Sequence, residues 1–196
     1  MNDTSHATDR HKSSPAIFDP FNSRLARDIR NTLSEAFVDA VVKSDKSDYQ
    51  DVAQKWLAGN FDAVYADYIK DRLERYARAF ERIISNRIDD AEIQALVLWN
   101  QGLFFEVHDH LERLWQRNSG DKRQALKGLI QAAGVYVHLQ FNRRPAAGRL
   151  AVKAVERIQK FADCLSFIEN LDTLIKSLQN PAFAPPRLEN SGLRSD

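Results

Sequence analysis

The stretch LFFEVHDHLERLW, residues 103–115, has the periodicity of an amphipathic helix whose apolar face carries two polar side chains. At about 100° per residue the apolar side chains cover one broad arc; they are Phe104, Phe105, Val107, Leu111, Leu114 and Trp115. His108 and Glu112 fall inside this arc, one helical turn apart. The other polar residues, Glu106, Asp109, His110 and Arg113, fall on the opposite side. Because burying an imidazole or a carboxylate is costly without partners, the pattern predicts an internal polar network or a binding site.

A second helix carries a polar stripe that matches the first. Residues 121–141 are apolar almost all round, which predicts a central, buried helix. One narrow stripe differs and consists of Lys127, Gln131, Gly134 and His138. Their spacing places them on one helical face. Since buried polar groups are normally paired, we expect this stripe to face His108 and Glu112.

That arrangement predicts one polar pocket between the two helices. Its members are His108, Glu112, Gln131 and His138, with Lys127 toward the mouth and with Trp115, Phe104 and Tyr136 as walls. The sequence leaves three interpretations open. The pocket is a structural hydrogen-bond network in which nothing binds, a site for a small ligand without metal, or a divalent metal site with His108, Glu112 and His138 as ligands.

Each interpretation implies a different class of function. A metal site would support metal-assisted hydrolysis, with Glu112 or Glu106 as general base. A ligand site would make this a binding protein of unknown activity. A purely structural network would leave a non-enzymatic scaffold that binds a partner helix in a groove.

Composition narrows the class of protein. The 196 residues contain 28 Lys and Arg against 27 Asp and Glu, a net charge of +1, which gives no electrostatic case for nucleic acid or an anionic membrane. A single cysteine, Cys164, excludes an internal disulfide. The first residues lack the apolar core of a secretory signal, and no stretch approaches the roughly 18 apolar residues of a membrane span. We therefore expect a cytoplasmic protein.

Apolar periodicity and turn residues predict an all-α fold, in which antiparallel helical hairpins form an orthogonal or bundle-like domain. Asp19-Pro20 is expected to start the first long helix, and residues 166–178 to form the last. We divide the chain into a disordered tail (1–18), an N-terminal helical extension (19–88), a helical core (89–179) and an extended or disordered C-terminal tail (180–196). The N-terminal helices are candidates for self-association into a homo-oligomer.

Several short motifs carry a family resemblance. They are Trp99-Asn100-x-Gly102, Phe104-Phe105-Glu106-x-His108, Glu112-x-x-Trp115, Gly128-Leu129-Ile130-Gln131, Tyr136-x-His138 and Asn142. Together they resemble the signature of the family called domain of unknown function 309, over roughly residues 95–160. The resemblance implies an all-helical fold and leaves the activity open. Three positions depart from the family's pattern: Asp109 stands where Glu is usual, Lys127 where Gln is frequent, and Phe141 where Gly is common.

Overall fold

The computed structural model describes residues 17–180 and 184–193, which form eight α-helices and contain no strand. The helices are α1 (Arg24–Lys43), α2 (Ser47–Leu57), α3 (Ala63–Ser85), α4 (Ala91–Asn100), α5 (Phe104–Gln116), α6 (Gly120–Gln140), α7 (Arg144–Lys160) and α8 (Leu171–Gln179). The prediction of an all-α, bundle-like fold is confirmed. Within these ranges, no helix has the length and apolar character that crossing a membrane requires.

Helix α6 lies at the centre of the bundle, with α5 against one side and α7 against the other. Two glycines of α6 allow α7 to pack closely. A Cβ at Gly128 would lie 2.9 Å from Cγ1 of Ile158, and a Cβ at Gly134 would lie 2.8 Å from Cδ2 of Leu150. Helix α1 packs against α2, α3 and α5 and so joins the N-terminal helices to the core.

Some helix ends differ from the prediction. Helix α1 begins at Arg24, because the carboxylate of Asp19 accepts a hydrogen bond from the backbone N–H of Phe21 (2.9 Å) and holds a separate turn. Ser23 is the true N-cap, and its Oγ accepts from the N–H of Ala26 at 3.2 Å. The last helix starts at Leu171, after a 3₁₀ turn over Ala162–Leu165.

The turns of the α4–α5 and α6–α7 hairpins have the same backbone geometry. Gly102 and Asn142 both adopt the left-handed conformation, with φ of 70° and 58°. In the first turn the N–H of Leu103 bonds to the carbonyl of Leu98 at 3.0 Å, and the residue after Asn142 makes the equivalent bond to His138 at 2.9 Å. Asparagine tolerates this conformation better than other non-glycine residues, so Asn142 serves where a glycine serves in the first hairpin.

Both chain ends make packing contacts that the sequence did not predict. Residues 1–16 of the predicted disordered tail lie outside the described residues, but Phe18 is buried and stacks on Tyr68 with ring centroids 3.6 Å apart. The C-terminal segment 184–193 has no helix up to residue 190 and ends in a 3₁₀ turn over Ser191–Leu193, and it is docked against α4. Asn100 donates to the carbonyl of Leu188 and accepts from its N–H, both at 2.8 Å, and Trp99 Nε1 donates to the carbonyl of Pro186 at 2.8 Å.

Replacing Asn100 with alanine is expected to release this C-terminal segment. Two hydrogen bonds to one backbone unit are lost, and at about 1 kcal/mol each this lowers the local opening free energy by roughly 2 kcal/mol. Hydrogen exchange over residues 187–190 should accelerate accordingly, while Gln124→Ala, at an exposed position of α6, leaves it unchanged. Equal exchange in the two variants would contradict the role of Asn100.

Candidate functional site

A cleft of about 360 Å³ lies where α1, α5 and α6 meet, with an edge from α7. We call it the His108 cleft. It is lined by Phe21, Arg30, Phe105, His108, Lys127, Ile130, Gln131, Gly134, Val137, His138 and Leu150. Four of the predicted pocket residues therefore line one cleft: His108, Lys127, Gln131 and His138. A volume of this size is in the range of small-molecule sites.

Helix α5 contributes a partly exposed polar edge. His108 and Glu112 have side chains that are 32% and 40% exposed, so neither is buried as the apolar arc had predicted. Nε2 of His108 lies 3.8 Å from Oε1 of Glu112, and its Nδ1 lies 3.3 Å from Oδ1 of Asp109. Glu112 is also 3.9 Å from Nζ of Lys127. Asp109, His108, Glu112 and Lys127 therefore form a row of neighbouring polar side chains along the rim of the cleft.

Helix α6 supplies two polar atoms that lack partners. Oε1 of Gln131 and Nδ1 of His138 are buried and have no hydrogen-bond partner among the described residues. The His138 ring stacks on Phe21 with centroids 4.9 Å apart. Burial, together with Arg143 and Arg149, lowers the pKa of His138. The ring is therefore neutral at pH 7, with one nitrogen donating and the other accepting.

Helix α1 adds a buried cation. Arg30 is only 9% exposed, and its guanidinium lies 3.8 Å from the centroid of the Phe105 ring. Its Nε and Nη2 donate to the amide oxygen of Asn31, at 3.1 and 2.9 Å. Both partners are neutral, so the structure brings a positive charge into the cleft without a hydrogen-bonded anion.

The fully buried polar residues of α5 are Glu106 and His110, which the helical arc had placed on the solvent side. They are 0% and 4% exposed. Oε1 of Glu106 accepts from the Tyr76 hydroxyl at 2.6 Å, and its Oε2 is 4.0 Å from Nη1 of Arg72. The correction has a simple cause. Helix α5 packs against α6 on one side and against α1 and α4 on the other, so both sides are covered.

All three predicted walls lie outside the His108 cleft. Tyr136 is buried in an aromatic cluster, with ring centroids 5.2 Å from Trp99 and 5.1 Å from Phe104. Neither Phe104 nor Tyr136 lines the His108 cleft. Trp115 lies beyond the rim, beneath the Arg123 guanidinium at 3.9 Å and 5.1 Å from Nζ of Lys127.

The geometry lends no support to the metal interpretation. His108 and Glu112 are neighbours, but His138 is turned to Phe21, and no three His, Cys, Asp or Glu side chains in residues 17–180 and 184–193 are grouped to hold an ion. The candidate general base Glu106 is closed off from the cleft by its bond to Tyr76.

Residues 93–150 match the family model described as Domain of unknown function (DUF309). The match supports a DUF309 assignment for this segment alone. The match confirms the resemblance seen in the sequence motifs, over a range that starts two residues earlier and ends ten residues earlier than predicted. No curated protein and no solved structure gives a significant match to the chain.

The DUF309 segment builds only part of the cleft. Its motif residues His108 and Gln131 line the cleft. Two others, Trp99 and Asn100, form hydrogen bonds to the C-terminal segment. Glu106 accepts a hydrogen bond from Tyr76 of α3. The motifs of this segment therefore combine cleft residues with residues that join the helices.

Sequence reasoning missed the contribution of α1, which lies outside the DUF309 segment. Phe21 and Arg30 both line the cleft. A signal was present, since Arg30 is four residues after Ala26 and seven before Phe37 and so shares their buried face. A charged residue on the buried face of an amphipathic helix indicates a site in the same way as the polar residues of α5.

Proposed function

We propose that this protein binds a small organic anion, with a carboxylate and a flat apolar body, in the His108 cleft. One observation carries the proposal: a guanidinium and an ammonium, from Arg30 and Lys127, stand among lining residues that include no acidic side chain. A carboxylate matches the fork of donors on a guanidinium and forms charge-assisted hydrogen bonds with it. The carboxylates of Asp109 and Glu106 act on the Arg30 charge from outside the cleft lining, and Glu112 lies at the rim next to Lys127.

The burial of Arg30 strengthens this argument. A charge held away from water costs free energy unless an opposite charge compensates it. The hydrogen-bond acceptor of Arg30 is the neutral amide oxygen of Asn31, and Asp109 and Glu106 act on its charge without a hydrogen bond to it. An incoming carboxylate would therefore supply the charge-assisted hydrogen bond that this guanidinium does not make.

The rest of the lining favours a flat ligand. The rings of Phe21 and Phe105 offer aromatic faces, which stack well on planar apolar groups. Oε1 of Gln131 and Nδ1 of His138, which have no partner within residues 17–180 and 184–193, are further hydrogen-bonding groups at the same place. These features support a planar carboxylate over inorganic phosphate as the ligand.

Benzoate is the probe that tests the proposal. We expect benzoate to raise the melting temperature, because a ligand that binds only the folded state stabilises it. Benzamide, which has the same shape without the charge, should have a much smaller effect. Losing the guanidinium in Arg30→Gln is expected to weaken benzoate binding by about ten-fold or more, as measured by calorimetry.

The matched control lies on the same helix. Arg24 has a side chain that is 93% exposed, so Arg24→Gln should bind benzoate as the wild type does. In the same way, Lys127→Gln should weaken binding while Lys153→Gln, at an exposed position on α7, should not. Equal affinity for benzoate and benzamide, or equal losses in Arg30→Gln and Arg24→Gln, would overturn the proposal and favour a purely structural role for these polar residues.

A further inference from the structure

A second and larger cavity, of about 600 Å³, lies on the other side of α5. We call it the His110 cavity. It is bounded by the C-terminal ends of α1 and α3, by the start of α4 and by the C-terminal half of α5. None of its lining residues belongs to the His108 cleft, so it is a separate feature of the molecule.

The cavity combines an apolar interior with a basic edge. Val41, Ile83 and Ile88 line it and are buried, while Val42 and Ile84 line it and remain 62% and 40% exposed. Large apolar side chains at this level of exposure are few in the described residues. Three arginines and a single carboxylate, Asp89, also line the cavity.

The arginines are not equivalent. Arg113 forms an ion pair with Asp39 of α1, so its charge is already compensated. Arg87 and Arg117 have exposed side chains and stand at the edge of the cavity. They therefore leave a positive edge next to an apolar interior, which is the charge pattern that an amphiphilic anion requires.

A buried imidazole at the cavity has an unused hydrogen-bonding atom. Nε2 of His110 bonds to the carbonyl oxygen of Ala91 at 3.0 Å, so this nitrogen is the donor. Burial lowers the pKa of His110 to about 4, which keeps the ring neutral. Its Nδ1 is then an acceptor, and it has no partner among the described residues. A buried polar atom without a partner points to a hydrogen-bond donor that arrives from outside the chain.

From this geometry we infer that the His110 cavity binds an acyl-chain carboxylate, with its hydrocarbon tail among the apolar side chains, its carboxylate at Arg87 and Arg117, and any hydroxyl on the chain donating to Nδ1 of His110. The inference is independent of the proposed function, because it concerns different residues on the opposite side of α5. A small amphiphile fits a partly open cavity of this size.

Decanoate is the probe, with decylammonium as the probe of opposite charge and equal tail length. We expect decanoate to bind and decylammonium to bind much more weakly, in calorimetry below the concentrations at which either forms micelles. Adding a carboxylate at the exposed apolar edge, in Val42→Glu, should weaken decanoate binding by about ten-fold or more. The control is Val152→Glu, since Val152 is 70% exposed on α7 and lies outside the cavity.

Two further measurements locate the ligand. The ¹⁵N resonance of His110 Nδ1 should move when 3-hydroxydecanoate binds and move less with decanoate, which lacks the donor. Arg30→Gln should retain decanoate affinity, because Arg30 lies in the His108 cleft. Equal binding of decanoate and decylammonium, equal losses in Val42→Glu and Val152→Glu, or no binding of decanoate would each overturn the inference; the last of these would favour a protein partner for this face.

Discussion

Replacing Glu106 with alanine is expected to lower the free energy of unfolding by about 3–5 kcal/mol, the range for removing one partner of a buried ionic contact. Glu106 is fully buried, and its carboxylate is the acceptor for the Tyr76 hydroxyl at 2.6 Å. Burial and the Glu106 charge raise the pKa of Tyr76 well above its ordinary value, so the hydroxyl stays protonated and donates. Alanine leaves that hydroxyl, and the buried guanidinium of Arg72, without this carboxylate.

The control is a second glutamate on the same helix. Glu112 is 40% exposed, and its carboxylate lies 3.8 Å from Nε2 of His108 and 3.9 Å from Nζ of Lys127. Exposed ion pairs contribute about 1 kcal/mol or less, so Glu112→Ala should lower the free energy of unfolding by no more than that. Urea denaturation of both variants measures the difference. Similar losses for the two glutamates would contradict the assignment of Glu106 to the buried network.

Acidification from pH 7 to about pH 4.5 is expected to destabilise the fold through His110. Burial lowers the pKa of this imidazole from 6.5 to about 4, so the unfolded chain takes up a proton in this window and the folded chain does not. Stability therefore rises with pH between these values and is lost as the pH falls. A shift of this size corresponds to roughly 2–3 kcal/mol at pH 4.5.

His110→Gln isolates this contribution. A glutamine amide can donate to the carbonyl of Ala91 as Nε2 of His110 does, and it does not titrate. Its free energy of unfolding should fall less between pH 7 and 4.5 than that of the wild type, by the same roughly 2–3 kcal/mol. His138 contributes with the same sign, because its pKa is also lowered, and it is retained in both proteins. Parallel pH profiles for the wild type and His110→Gln would contradict this prediction, because they would show that protonating His110 does not lower the free energy of unfolding.

Local sequence patterns determined the helices of this protein. Apolar residues at helical spacing predicted helices at the positions of α1, α5 and α6, because a helix needs one covered face whatever covers it. The turns were equally local. Gly102 and Asn142 stand where the chain adopts a left-handed conformation, and these residue types tolerate that conformation best. The polar stripe of α6 followed from spacing alone, which is why Lys127, Gln131 and His138 line one cleft.

Only the tertiary structure decided which faces are buried and what completes each site. The apolar arc of α5 identified one covered side, but α1 and α4 cover the other, and so Glu106 and His110 are buried while His108 stays partly exposed. Arg30 reaches the His108 cleft because α1 crosses α5, where Ser34 donates to Asp109 at 2.6 Å across 75 positions of the chain. The physical reason is that spacing places side chains on one helix, whereas burial depends on which other helices pack against it.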